Sequence, residues 1–230
     1  MTPELQRGIL RRFAQIVVQR AAELPILLAC AGDLRWRGAW VYTAANVVIL
    51  FGNAIYVLPR NPEVIAERGK VHEGTRTFDK VLIGISTLFY LALLVVAALD
   101  AGRFRWAPLA EWWAIPGFAL LVLGSIPVTG AMAVNRNLET TVRIQTDRGH
   151  AVATTGPYRW VRHPMYAGML LFYPAGALLL GSGAAFIPLV PLLAAAVVRT
   201  ALEDRTLQRD LPGYAEYAKQ TRWRLVPWVW

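Results

Sequence analysis

Residues 164–198 read PMYAGMLLFYPAGALLLGSGAAFIPLVPLLAAAVV, a stretch of 35 residues without a charge. As one helix it would be roughly 52 Å long, against a bilayer hydrocarbon core of about 30 Å. The Gly181-Ser182-Gly183 triplet interrupts it near the middle, and three small turn-forming residues favour a chain reversal. The stretch therefore predicts two antiparallel helices joined by a tight turn. Each arm is short for a full span, so the hairpin is expected to thin the bilayer or to stop partway.

Three more runs flank this hairpin on its N-terminal side. Gly38–Leu58, Val81–Leu99 and Trp112–Val134 are each about 20 residues long and uncharged, the length a spanning helix needs. The segment Phe13–Ala31 is mixed, with Gln15, Gln19, Arg20 and Glu23 among its apolar residues. Arg20 and Glu23 are three apart, so they share a helix face and can pair. Two readings stand: a span with its polar side turned inward, or an amphipathic helix in the interface. The expected fold is an all-α integral membrane protein of five or six transmembrane helices. It reads as a single membrane domain, residues 1–230, with N-terminal helices over 1–134 and a region richer in polar residues over 135–230.

Charge agrees with this reading. Only 17% of residues are charged, where soluble domains carry about 25%. With the N-terminus inside and six spans, 18 Lys and Arg fall in inside segments and 4 in outside loops, as the positive-inside rule requires. The net charge of +9 is thus read as membrane anchoring and orientation, not nucleic-acid binding. All nine tryptophans lie near expected span ends, where an aromatic belt forms. The one cysteine, Cys30, permits no disulfide framework. Arg20 and Glu23 interrupt the first apolar stretch, so the N-terminus does not read as a cleavable signal peptide.

Polar chemistry gathers on the inside face. Residues 135–168 read NRNLETTVRIQTDRGHAVATTGPYRWVRHPMYAG. Thr140–Gln145 and Val152–Thr155 resemble short strands around an Asp147-Arg148-Gly149 turn, which predicts a small hairpin. Arg162 and His163 precede Pro164 and so sit at a helix N-terminus, whose free N–H groups suit an anion. The chain has three histidines, His72, His150 and His163, and their spacing supports no metal site. Beyond the hairpin come Arg199, Glu203 and Asp204. Ionisable residues in or beside a span are functional candidates by default. Leu207, Leu211, Tyr214 and Tyr217 follow helical spacing around Pro212-Gly213, then Arg222 and Arg224 read as surface anchors. The tail is expected to be a helix, a break and an interfacial segment.

These residues carry a resemblance. The run Gly156-Pro157-Tyr158-Arg159-Trp160-Val161-Arg162-His163-Pro164-Met165-Tyr166-Ala167-Gly168 resembles the GPY-R-x-V-RHP-x-Y-x-G signature of the isoprenylcysteine carboxyl methyltransferase family. Arg199, Glu203, Asp204 and Leu207 are similar to its R-x-x-x-E-E-x-x-L motif, with Asp204 where Glu is usual. Gly213, Tyr214, Tyr217, Arg222 and Pro227 match its ending. The resemblance covers about residues 135–228.

The resemblance implies S-adenosylmethionine binding in a cytoplasm-facing pocket of a bacterial-type membrane enzyme, and methyl transfer to a lipophilic or prenylated acceptor, most naturally a carboxylate, entering from the bilayer. Gly156, Tyr158, His163 and Tyr166 would hold the methionine end of the cofactor. Glu203, with Asp204, would bind its ribose hydroxyls or amino group. Arg199, or else Arg162 or Arg222, would pair with the acceptor carboxylate. Two other activities share the available groups. A sterol-type NADPH-dependent reductase ends in a similar RHP-x-Y block, and a phospholipid N-methyltransferase shares the cofactor.

Overall fold

The computed structural model describes residues 1–70 and 74–230; His72 lies outside the described residues. The described chain is helical, with eight α-helices: α1 Pro3–Ala31, α2 Arg37–Val57, α3 Pro62–Glu67, α4 Thr77–Ala97, α5 Ala114–Val134, α6 Pro164–Leu179, α7 Phe186–Asp210 and α8 Tyr214–Gln220. Five of the helical segments are long and apolar enough to cross a membrane: α1, α2, α4 with its π-helical extension to Phe104, the stretch Glu111–Val134, and α7. The α6 helix is the short sixth member.

The expected hairpin is present as α6 and α7. Its turn is held from the side by Asp100, which is wholly buried. The Asp100 carboxylate accepts from Ser182 Oγ at 2.5 Å, from the Ala184 amide at 3.1 Å and from the Ala107 amide at 2.6 Å. This satisfies donors that lipid cannot. The arms are unequal, against expectation. The α6 helix has 16 residues, about 24 Å. The α7 helix runs 25 residues, past Arg199, Glu203 and Asp204, because side chains from other helices and loops meet those charges.

The first segment is one continuous helix, long and apolar enough to cross a membrane. Its polar side faces the bundle interior. Arg20 pairs with Glu23 at 2.5 Å, Gln19 donates to the same carboxylate at 3.0 Å, and Tyr90 Oη on α4 donates to it at 3.2 Å.

Helices α5 and α6 approach through glycine. A Cβ on Gly168 would lie 2.5 Å from the Gly124 carbonyl oxygen, and one on Gly124 2.8 Å from that of Gly168. Small residues let membrane helices pack backbone to backbone. This contact fixes the start of α6 against the middle of α5, and so positions the RHP block that precedes α6.

The small β-hairpin expected over residues 140–155 is not formed; no strand occurs among the described residues. Side chains take the backbone groups that a ladder would use. The Val142 amide donates to Asp79 Oδ2 at 2.8 Å, and Arg199 Nη2 donates to the Thr140 carbonyl at 2.8 Å. Gln145 N donates to His150 Nδ1 at 3.3 Å. Local β-propensity from Thr and Val lost to these long-range partners.

Candidate active site

The site is organised around Asp204, nearly two turns before the end of the long helix α7. Asp204 is wholly buried. Oδ1 accepts from Arg162 Nε at 2.8 Å and Tyr214 Oη at 3.0 Å, and lies 3.1 Å from His163 Nε2. Oδ2 accepts from Arg162 Nη2 at 3.0 Å, Gln208 Nε2 at 2.7 Å and Arg224 Nε at 2.9 Å. Both oxygens are taken up by protein donors. Asp204 therefore acts as the hub that ties the RHP block to α7 and the tail.

Arg162 is equally committed. Besides its two bonds to Asp204, Nη1 donates to the carbonyls of Thr221 and Arg222 at 2.9 and 2.8 Å. Burial works against its charge, but the hydrogen bonds and charge of Asp204 outweigh this and hold its pKa above the ordinary value. The anion expected at the N-terminus of α6 is thus the chain's own Asp204. With four of its five N–H groups bonded within the protein, Arg162 ties the RHP block to α7 and the tail. The tail closes over the same block, since the amides of Arg162 and His163 donate to the carbonyls of Trp223 and Arg224 at 2.8 and 3.0 Å.

The neighbouring carboxylate is different. Glu203 keeps a partly exposed side chain, with 21% of its area open. Oε2 accepts from Tyr166 Oη at 2.7 Å, and Oε1 lies 4.0 Å from His163 Nδ1. Glu203 lines a cavity together with Tyr158, Arg162, His163, Tyr166 and Arg199. Six of the expected site residues thus meet in one place. Gly156 and Asp204 do not line it; Gly156 instead makes the turn that enters the block, with a left-handed φ of 58°.

The rest of the wall mixes aromatic and apolar groups, among them Tyr214, Tyr217, Val152, Leu207 and Leu211, with the polar side chains of the 135–150 segment, among them Asn137, Glu139, Arg143 and Gln145. Burial pushes the Tyr217 hydroxyl up to about 12. Burial also raises Tyr158 and, with Asp204, Tyr214, so these phenols stay neutral hydrogen-bond donors at physiological pH. Thr141 Oγ1 lines the cavity side of the 135–153 segment and is buried with no hydrogen-bond partner among the described residues. The cavity is narrow, about 70 Å³.

A second, larger cavity of about 720 Å³ lies among α1, α2, α4, α5 and α6. Its wall is mostly apolar, including Ile49, Leu121 and Phe172, with Asn46, Asn53, Ser125 and Thr129 interspersed. Arg199 lines both cavities. Its Nε donates to Asp79 Oδ1 at 2.6 Å, and its guanidinium sits 5.5 Å from the Tyr166 ring centre. Glu203 stands one helical turn further on, yet the ion-pair partner is Asp79, buried at the start of α4. Asp79 went unnoticed because it stands just outside an apolar run. An acid at a span end was the available signal. No group of three or more His, Cys, Asp or Glu side chains placed to hold a metal ion occurs among the described residues.

The fold defines a class, the helical intramembrane fold of the isoprenylcysteine carboxyl methyltransferases. The solved structure of the eukaryotic intramembrane Ras methyltransferase of that name superposes with a TM-score of 0.54, at 17% identity, covering 91% of this chain and 75% of its own. Residues 112–212 match the family model described as Phospholipid methyltransferase. The cobalt-zinc-cadmium resistance protein CzcN of Cupriavidus metallidurans is 34% identical over 134 residues, 55% of this chain and 56% of its own length. The nickel-cobalt-cadmium resistance protein NccN of Alcaligenes xylosoxydans is 32% identical over 135 residues, 56% and 57% of the two chains. A probable protein-S-isoprenylcysteine O-methyltransferase of Oryza sativa is 25% identical over 138 residues, 58% and 66%. The chain thus spans a little over half the length of the first two relatives. The resemblance to the isoprenylcysteine carboxyl methyltransferase family, read from residues 156–168, is borne out.

Proposed function

We propose that the chain is an S-adenosylmethionine-dependent methyltransferase. It takes the cofactor from the cytoplasm into the cavity at Glu203, and a lipophilic acceptor from the bilayer into the larger cavity. The observation that carries this reading is Arg199, which lines both cavities. A water-side pocket and an intramembrane pocket that share one wall are what a reaction between a polar donor and a lipid acceptor needs. The excess of Lys and Arg in the inside loops supports a polar face turned to the cytoplasm, as in a bacterial inner-membrane protein.

The residues at the first cavity fit the cofactor chemically. Glu203 Oε1 offers a carboxylate oxygen to a diol or an ammonium group. Thr141 Oγ1 is a buried polar atom in want of a partner. Tyr214, Tyr217 and the leucines offer flat and apolar surface to a purine. Entry requires the cavity to widen beyond its present volume of about 70 Å³.

When bound, S-adenosylmethionine supplies a methyl carbon already activated on a sulfonium. The protein's tasks are then to position, to exclude water and to balance charge. Tyr166 orients Glu203 through its hydroxyl. The Arg162–Asp204–His163 hub holds that end of the site rigid. Arg199 and the Tyr166 ring form the wall across which donor and acceptor face each other. A carboxylate acceptor is ionised at neutral pH and requires no general base. Phospholipid N-methylation is the second reading, favoured by the family match over residues 112–212.

Titration calorimetry of the purified protein with S-adenosylmethionine and, separately, with NADPH tests the reading. Saturable binding of the first is expected. Binding of NADPH alone would overturn it in favour of a reductase.

A further inference from the structure

The larger cavity holds more positive charge than its carboxylates balance. Four arginines line it: Arg12, Arg20, Arg68 and Arg199. Arg20 is paired with Glu23 and Arg199 with Asp79. Arg12 and Arg68 have no ion pair with a carboxylate among the described residues.

Arg68 is the more telling of the two. Its Nη1 donates to the carbonyls of Glu139 at 3.1 Å and Leu138 at 3.5 Å, and lies 3.4 Å from Met165 Sδ. Nε and Nη2 make no hydrogen bond among the described residues, yet the guanidinium lines the cavity. Met165 directly precedes Tyr166, so this cation sits beside the wall between the two cavities. Burial and the nearby Arg12 and Arg199 push its pKa down to about 10, which leaves it charged at neutral pH. A headgroup anchor would point outward to lipid phosphates; this arginine points into a largely apolar chamber. A buried cation is normally paired, and an unpaired one inside a membrane protein marks a ligand's anion.

We propose that Arg68, supported by Arg12, is the anion-binding residue of the acceptor site, and that the cavity takes a single-headed anionic amphiphile with a carboxylate or phosphate. The chain of this amphiphile lies against Ile49, Leu121 and Phe172, and its anion docks on Arg68 beside Arg199. Naming the occupant as acceptor rests on the methyltransferase reading; the anion site does not. Arg199, already neutralised by Asp79, becomes a wall of the site and not its counter-ion.

For a carboxylate acceptor, one oxygen forms the new bond to the methyl carbon. The carbon–sulfur bond breaks with its electron pair left on sulfur, and no proton moves. The ester carries no charge, so it loses its hold on Arg68 and leaves. For a phosphate-bearing acceptor methylated elsewhere, Arg68 holds substrate and product alike.

The test is calorimetric binding to the full-length protein in a non-ionic maltoside detergent, with palmitate, hexadecyl phosphate, methyl palmitate and hexadecanol as probes. In the wild type, at least one anion is expected to bind about tenfold or more tightly than hexadecanol. Arg68→Gln should abolish that preference while leaving hexadecanol binding unchanged, and Arg68→Lys should restore part of it. Arg68→Gln should melt no lower than wild type, since it removes an uncompensated charge. Preference for palmitate assigns a carboxylate, and preference for hexadecyl phosphate a phosphate. The proposal is overturned if hexadecanol matches both anions in the wild type, if Arg68→Gln keeps the preference, or if it loses hexadecanol binding and melts lower. S-adenosylmethionine titrated into the same samples separates the two claims. Arg68-dependent anion binding without cofactor binding keeps the anion site and removes the methyltransferase reading.

Discussion

Arg162 and Asp204, 42 residues apart, meet as a two-point ion pair at 2.8 and 3.0 Å with both side chains buried. The pair joins the loop before α6 to the end of α7, and the tail joins it through Arg224. Removing one side of such a pair leaves a buried charge without compensation. Asp204→Ala strands Arg162 and Arg224 together, so it should destabilise the protein by about 3–5 kcal/mol. A large fall in apparent melting temperature in detergent, with loss of monodisperse protein, is the expected result. Wild-type melting in Asp204→Ala would mean that Asp204 is not the hub.

Glu203 should behave in the opposite way. Its carboxylate has one hydrogen bond, from Tyr166, and stands partly open. Glu203→Gln keeps the shape and removes the charge. Cofactor affinity should fall at least tenfold, about 1.4 kcal/mol, with the melting temperature nearly unchanged. Tyr166→Phe should have a smaller effect in the same direction. An unaltered cofactor affinity in Glu203→Gln would remove Glu203 from the cofactor site.

The contrast between these two adjacent acids shows what the sequence could carry. The apolar runs were legible because lipid imposes a contiguous length on each span, and the Gly181-Ser182-Gly183 break showed through the longest of them. The RHP block and the acids beyond it were legible as a motif. Which acid is structural and which faces a ligand was not, because Arg162 and His163, Tyr214, and Arg224 reach Asp204 from three places along the chain. Arg68 was invisible for the same reason. It reads as one more inside loop charge until the fold turns it into a cavity. The 140–155 hairpin failed because Thr-Thr-Val is a local signal, overruled by Asp79 and Arg199 from distant helices.

The Arg199–Asp79 pair spans 120 residues at 2.6 Å. If it exists to neutralise a guanidinium at the wall between the cavities, the two side chains must be energetically coupled. Asp79→Asn alone should destabilise strongly, and Asp79→Asn/Arg199→Gln should be less damaging than the sum of its singles. A coupling of about 2 kcal/mol is expected. Additive effects would place Arg199 outside the pair and return it to the role of acceptor counter-ion.

The approach of α5 and α6 is a backbone contact, so it admits no side chain. Gly168→Ala places a methyl carbon 2.5 Å from the Gly124 carbonyl oxygen, and neither partner is a flexible side chain that can give way. The helices must separate, at a cost of about 1–3 kcal/mol or more. Cofactor binding should weaken too, because α6 carries Tyr166. A Gly168→Ala variant with wild-type stability would contradict the close packing.

The segment over the first cavity should respond to acid through His150. Nδ1 of this ring accepts the Gln145 amide at 3.3 Å, which requires an unprotonated nitrogen. Burial, with Arg143 and Arg148 nearby, lowers its pKa below the ordinary 6.5, and Glu139 opposes this only in part. A depressed pKa means that the folded form favours the neutral ring. Its contribution is complete above pH 6.5 and is lost as pH falls through the lowered value. Hydrogen–deuterium exchange should therefore show the Gln145 region protected at pH 7.5 and progressively opened below pH 6.5. Asp147, held below the usual carboxylate range by Arg143, stays ionised in that window and does not account for the change. His150→Asn should remove the pH dependence. An equal opening in that variant would assign the effect to another group.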